Sequence, residues 1–200
     1  MLKKVKPVTL ALLFYAGLCY VAGVIRTYSI LRFPYVVEYG ESTILYQIRV
    51  LFRGIFPYNA HLVEQHNFFS YTPFFQYLVS LSASTPQAWL FNARLLNSLS
   101  LFGVGVLISL LYFQWKNEER KPIHFVLPLL LWLSWYPVFN WMALGRLDGL
   151  ALLMQVLGLY FYLRPTLQNL FKILAMIAFV FAFFTKQSAV WIPASLIIYN

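Results

Sequence analysis

Six long apolar stretches, separated by a handful of charged residues, leave this chain almost no polar surface to present to water. That pattern constrains its fold more than any motif does. Charged residues make up 10% of the chain and hydrophobic ones 61%. An ordinary globular domain has about 25% charged and 45–50% apolar residues. One small core cannot absorb the excess, and the stretches are long enough to suggest membrane spans. The expected class is an all-α, polytopic membrane protein with about six transmembrane helices, forming a single transmembrane domain over residues 1–200. Soluble enzymes, disordered tails and disulfide scaffolds are excluded; Cys19 is the only cysteine. The net charge of +9 would suggest nucleic acid in a soluble domain. In a membrane protein, cytoplasmic Lys and Arg account for it, and no nucleic-acid partner is expected.

The first apolar stretch covers 8–31 and follows Lys3, Lys4 and Lys6, which predicts a cytoplasmic N-terminus. It is long for a signal peptide, and Leu18 stands before Cys19 where a lipoprotein signal needs a small residue. An uncleaved first helix is expected. Residues 32–85 form a large loop on the other side. Thr85 and Pro86 read as an N-cap and first helical residue, opening a second span that reaches about 115. Further spans are expected at 123–144, 149–163 and 170–184. A sixth starts at 189 and is cut off at Asn200, suggesting that the chain is incomplete at its C-terminal end. Alternation puts the 116–121 and 164–172 turns in the cytoplasm. There, with the N-terminus, they hold eight of the fifteen basic residues. Within the large loop, Ile44, Leu45, Ile48, Leu51 and Phe52 have helical spacing, with Gly54 as a stop. A second short helix is expected from Thr72-Pro73 to about 82. Both suit helices lying at the membrane interface. No internal repeat or low-complexity tract is present.

Three groups of ionisable residues lie on the expected outer side. Glu38 and Glu41 bracket Tyr39-Gly40; carboxylates there can act as a general base or bind a cation, or can simply be a solvated loop. Arg146 and Asp148 sit at a helix junction, which avoids most of the ~2.5–3.5 kcal/mol that a charge costs at mid-bilayer. The plain alternative is an interfacial turn. Lys186-Gln187 follows a Phe-rich run; a lipid phosphate would suit this ammonium, although a lysine that snorkels to the interface needs no ligand. His61, Glu64 and His66 do not fit the zinc-helix spacings, because Gln65 intervenes. No metal site or cofactor is expected. Arg94, with Asn92 and Asn97, either lines a polar cavity in the second span or snorkels outward, and Arg26 is equally open. No phosphate-binding glycine loop, nucleophile elbow or dinucleotide fingerprint occurs.

The order of these groups is more informative than any one of them. Glu38-Tyr39-Gly40-Glu41 is followed by Gly54-Ile55-Phe56-Pro57-Tyr58, then Tyr71-Thr72-Pro73. Next come Ala93-Arg94-Leu95-Leu96, then Arg146-Leu147-Asp148-Gly149-Leu150, and finally Phe184-Thr185-Lys186-Gln187. From about Tyr35 to Pro193 the chain resembles the N-terminal part of bacterial integral-membrane glycosyltransferases of the GT-C superfamily, in the branch of protein O-mannosyltransferases and lipid A aminoarabinose transferases. The resemblance implies a multi-pass protein of the bacterial inner (plasma) membrane. Its substrates would be a polyprenyl-phosphate sugar donor and a glycan, lipid or protein acceptor on the non-cytoplasmic side. It implies Glu38 as general base with Glu41 as partner. That family more often carries Asp at the position of Glu38, whose carboxylate lies one methylene further out. It also implies Arg146, Lys186 and Arg94 at the donor phosphate, with Asp148, Gln187, Tyr58 and Tyr71 in support. Family members generally have more than six spans. Two other classes stay open: a transporter or lipid flippase segment, and a non-catalytic membrane assembly subunit.

Overall fold

The computed structural model describes residues 7–59, 69, 71–116, 121–164 and 168–199, and every regular element among them is helical. In chain order the helices are α1 (Pro7–Arg32), α2 (Tyr39–Phe52), α3 (Phe74–Ser82), α4 (Pro86–Trp115), α5 (Ile123–Ser134), α6 (Tyr136–Trp141), α7 (Asp148–Tyr162), α8 (Gln168–Thr185) and α9 (Trp191–Tyr199). Lys3, Lys4, Lys6, His61, Glu64, His66, Glu118, Glu119 and Arg120, on which several expectations rest, lie outside the described residues.

Local chemistry sets several boundaries. Thr85 caps α4, its hydroxyl accepting the Ala88 N–H at 3.4 Å, and Pro86 occupies the first turn, where no N–H is needed. At the end of α2, Gly54 adopts φ 72°. Its N–H donates to Leu51 at 2.9 Å, and the Ile55 N–H donates to Val50 at 3.2 Å, closing the last carbonyls of the helix. α2 starts at Tyr39, five residues before the spacing of its apolar residues begins at Ile44, so Glu41 is helical. The stretch expected as one span over 123–144 is two helices meeting at Trp135, whose backbone is extended. Pro137 is the reason. It has no N–H to give the carbonyl of Leu133, and its ring would collide with that carbonyl.

The expected count of six spans is corrected by these lengths. Among the described residues two helices, α1 and α4, are long and apolar enough to cross a bilayer. With 26 and 30 residues they extend about 39 and 45 Å. α7 has 15 residues and reaches about 22 Å, short of a hydrocarbon core of about 30 Å. α5 is stopped by the Pro137 break, and α8 and α9 are 18 and nine residues long. The sidedness expected from alternating six spans therefore has two full-length helices beneath it.

α4 is the central element. It contacts α5 and α7 along its length, and α1 lies against α5. α8 packs on α7, while α2 and α3 pair with each other and rest on the N-terminal part of α4. The main apolar cluster lies where these elements meet: Ile44 and Ile48 from α2, Phe75 and Val79 from α3, Trp89 and Ala93 from α4, with Leu147 and Leu150. α1 is the opposite case. Ala16 is its one buried residue, and Val8, Phe14, Tyr15, Leu18 and Ile25 are exposed. Such an apolar helix surface is stable against lipid and costly against water.

The α4–α7 contact is closest at Gly149. A methyl group there would fall on the side-chain oxygen of Asn97 and lie 3.0 Å from that residue's backbone oxygen. Gly149→Ala should therefore lower stability by about 1–3 kcal/mol through overpacking. Gly17→Ala on α1, where a methyl meets nothing within 4 Å, should leave stability unchanged or slightly raised. Thermal unfolding of both variants in detergent checks this contrast.

Candidate functional site

Arg94 projects from α4 into the seam between α2 and the 142–147 turn, and it is fully buried. An unpaired guanidinium could not persist there. All five of its N–H groups have acceptors. Nε and one Nη2 hydrogen donate to the two carboxylate oxygens of Glu41, each at 2.8 Å. The other Nη2 hydrogen goes to the carbonyl of Tyr35 at 2.8 Å, and Nη1 donates to the carbonyls of Ile30 and Phe33, both at 2.6 Å. Glu41 is completed by two backbone donors, Val37 N–H and Gly145 N–H, each at 2.8 Å. Burial alone would raise the pKa of Glu41. Hydrogen bonds from Arg94, Val37 and Gly145, together with the charge of Arg94, outweigh it and hold the carboxyl below the ordinary range. Glu41 and Arg94, expected at the chemistry, have thus spent their hydrogen-bonding capacity on the protein. The pair ties together the end of α1, the start of α2, the N-terminal third of α4 and the turn before α7.

Asn97 holds that same turn one helical turn further along α4. Its amide nitrogen lies 2.8 Å from the carbonyl of Trp141 and 2.9 Å from that of Leu144, and its oxygen accepts the Gly149 N–H at 3.0 Å. Ser98 adds a bond to the carbonyl of Met142 at 2.7 Å. Residues on both sides of Arg146 are therefore fastened to α4. Arg94, Asn97 and Ser98 share one helix face at i, i+3 and i+4. Three polar side chains in that register on an apolar helix are the sequence signal for a buried polar seam.

The turn carries Arg146 into a line of alternating charges. Arg146 Nη1 is 3.1 Å from Glu38 Oε1, and its Nε is 3.3 Å from Asp148 Oδ2. The second oxygen of Asp148 accepts from Lys186 at 2.5 Å. Arg146 also stacks over Trp141, 4.9 Å from the ring centre, and Lys186 lies 5.2 Å from the ring centre of Tyr71. The neighbouring Thr72 hydroxyl donates to the carbonyl of Phe183 at 2.7 Å, pinning that loop to the end of α8. Residues 38, 71, 146, 148 and 186, scattered over the chain, stand together. Each of the four charged side chains is about one quarter to one third exposed, so these pairs are accessible and each is worth little by itself.

Glu38 sits at the N-terminal end of α2, where a negative charge is favoured by the helix. Its Oε2 is buried and has no hydrogen-bond partner. Gly40 leaves room for this carboxylate: a methyl there would lie 2.8 Å from Oε2. Two hollows adjoin the charges. A polar cleft of about 250 Å³ is lined by Glu38, Gly40, Thr43, Gln47, Tyr71, Arg146 and Asp148, among others. A groove of about 220 Å³ reaches Arg146 and Asp148 from the other side, between Trp132, Trp135, Val138 and Trp141.

Other expected residues lie elsewhere. Gln187 is exposed in the turn after Lys186 and lies outside the charge line. Tyr58 packs edge-on against Phe56 and Phe69 and does not line the cleft. Arg26 donates to the carbonyl of Phe139 at 2.9 Å and lies over that residue's ring, which places it between α1 and α6. Among the described residues no three His, Cys, Asp or Glu side chains cluster as metal ligands would. Comparison of the chain with protein-family models, with curated proteins and with solved structures finds no match.

Arg94→Leu should lower stability by about 3–5 kcal/mol, because it strands Glu41 as a buried, uncompensated charge. Acid should act at the same place. A carboxyl with a depressed folded-state pKa binds fewer protons folded than unfolded, so its contribution is full above the unfolded-state value. It is lost as pH falls from the ordinary carboxylate range through the lower folded-state value. Unfolding midpoints in detergent should therefore drop on acidification more in the parent protein than in Glu41→Gln. Equal slopes would mean that Glu41 is not the group responsible.

Proposed function

We propose that this chain is part of a multi-pass membrane glycosyltransferase of the GT-C kind. It would move a sugar from a polyprenyl-phosphate donor to a hydroxyl-bearing acceptor on the non-cytoplasmic side. The observation that carries the reading is the meeting of Glu38, Arg146, Asp148 and Lys186 between a polar cleft and a tryptophan-lined groove. In this reading α1 and α4 cross the bilayer fully, and the shorter apolar helices complete the membrane-embedded body. The many exposed apolar side chains on α1 and α8 support that placement.

The reaction needs two electrostatic tasks done at once. The bond from the sugar's anomeric carbon to the phosphate oxygen breaks, and its electron pair leaves with the phosphate. Arg146 and Lys186 would stabilise the added negative charge, more strongly than water can because they are already in position. The acceptor hydroxyl oxygen forms the new bond to the anomeric carbon, and its proton passes to Glu38. The Glu38 carboxylate, released when Arg146 turns to the phosphate, is suited to take that proton. Asp148 contacts both cations and keeps them at one spacing. The apolar groove behind Arg146 suits an isoprenoid tail.

Glu38 touches Arg146, whereas attack opposite the leaving group requires a sugar ring between base and phosphate. The contact is easily opened. Partly exposed pairs at 3.1 and 3.3 Å contribute about 0–1 kcal/mol each, and an incoming phosphate replaces the carboxylates as the guanidinium's partner. Glu41 and Arg94 act in this scheme by holding the start of α2 and the Arg146 turn.

Glu38→Gln and Lys186→Ala should each reduce sugar transfer by about a hundredfold or more while leaving membrane insertion and folding intact. Transfer from a radiolabelled polyprenyl-phosphate sugar in proteoliposomes checks this. Undiminished transfer in both variants would sink the assignment, and lipid movement without a covalent product would favour a flippase instead.

A further inference from the structure

We infer that the groove between α1 and the α4–α6 face holds one acyl chain of an anionic phospholipid, with Arg26 and Arg32 at its edges taking the headgroup phosphate. The inference rests on α1 as a membrane-crossing helix and is independent of the transferase reading.

α1 lines this groove with residues 20, 23, 24, 27, 28 and 31, which form one helical stripe. The facing wall comes from Phe102 of α4, Leu133 of α5 and Phe139 of α6. The volume is about 240 Å³ and the lining is apolar apart from the hydroxyls of Thr27 and two tyrosines. Gly23 keeps the floor open, because a methyl group there would already touch the Phe139 ring at 3.4 Å. From residue 20 to residue 31 the stripe runs about 17 Å. Half of a hydrocarbon core of about 30 Å is about 15 Å. The groove therefore occupies the outer half of α1 and matches the depth of one leaflet, which is the reach of a phospholipid acyl chain and less than that of a polyprenyl tail.

The second observation is the charge at its edges. Arg26 Nη1 donates to the carbonyl of Phe139 at 2.9 Å, and the guanidinium lies 5.6 Å from the centre of that ring. Among the described residues its other N–H groups meet no acceptor. Arg32 lies on the opposite edge, 4.4 Å over the ring of Tyr28, and also has no carboxylate partner among the described residues. Phe139 and Tyr28 both line the groove, so each cation is held against one of its walls. Neither Asp nor Glu lines it. The described carboxylates are committed elsewhere: Glu41 to Arg94, Glu38 to Arg146, and Asp148 to Arg146 and Lys186. A guanidinium beside hydrocarbon with unmet donors is costly. A phosphate oxygen supplies those acceptors and the opposite charge together. A zwitterionic headgroup supplies the phosphate but cancels its charge, so a pair of arginines without a nearby acid favours an anionic lipid.

Native mass spectrometry of the full chain in detergent tests this, with phosphatidylglycerol and phosphatidylcholine of identical acyl chains as probes. Phosphatidylglycerol should bind about tenfold more tightly than phosphatidylcholine. Arg26→Gln, whose amide can still donate to the Phe139 carbonyl, should weaken phosphatidylglycerol binding about tenfold. Arg32→Gln gives up no hydrogen bond within the described residues, so it should leave the fold unchanged and reduce the preference for phosphatidylglycerol. Val24→Phe, at a groove position that is half exposed, should weaken the binding of both lipids by filling the space for the chain. Equal binding of the two lipids by the parent protein overturns the inference, as does a preference that survives both arginine substitutions. It is also overturned if Val24→Phe changes neither lipid, or if farnesyl phosphate displaces phosphatidylglycerol at lower concentration than phosphatidylglycerol itself, which would give the groove to an isoprenoid phosphate.

Discussion

A single buried ion pair organises the charged half of this molecule. Arg94 cannot stand in an apolar helix without acceptors, and Glu41 cannot be buried without donors. Each satisfies the other, and both take their remaining hydrogen bonds from backbone that would otherwise be irregular. The carbonyls of Ile30, Phe33 and Tyr35 belong to the frayed exit of α1, and the N–H groups of Val37 and Gly145 belong to turns. Replacing such a pair by apolar residues is often harmless where only packing is at stake. Here it would also unfasten two turns, and one of them carries Arg146.

The two sets of charges differ in kind. The Arg94–Glu41 pair is dry, bidentate and saturated. The line Glu38–Arg146–Asp148–Lys186 is partly exposed, has longer contacts at Arg146, and leaves one buried Glu38 oxygen without a hydrogen-bond partner. Rigid support behind a loosely paired, accessible cluster is the division of labour that a binding site needs. The support fixes positions to within a hydrogen bond, while the cluster can exchange its internal partners for those of a ligand.

Much of the helical framework was legible along the chain. Apolar blocks located the helices, Thr85-Pro86 marked the start of α4, and Gly54 marked the end of α2. Block length was a poorer guide to spans. Tyr136-Pro137 reads as apolar, so hydropathy runs through a break that proline imposes. Glu38, Arg146, Asp148 and Lys186 stood out because charges are scarce here. The roles first attached to Glu41 and Arg94 were not separable by sequence, since a saturated pair and a pair of reactive groups look alike until their partners are known. Those partners lie 53 residues apart, with further ones on turns that no spacing rule joins. The buried hydrogen bond from Gln76 of α3 to Gln47 of α2 was hidden for a related reason. Each glutamine sits in a short amphipathic helix where a polar residue is expected to face water, and tertiary pairing of α2 with α3 turns both inward.

The position of Glu41 before Arg94 also bears on how the chain is made. Synthesis proceeds from the N-terminus, so the acid and the backbone acceptors at 30, 33 and 35 are already available when α4 emerges. An arginine entering a bilayer alone faces a penalty of about 2.5–3.5 kcal/mol on insertion scales. On the proposed membrane-spanning reading of α4, this one meets a waiting counter-charge. Gly145, which completes the carboxylate's shell, arrives only later, after α5 and α6. The knot that anchors the charged turn is therefore tied in two stages, with the segment bearing α1 and α2 serving as an internal docking partner for the helix that follows it.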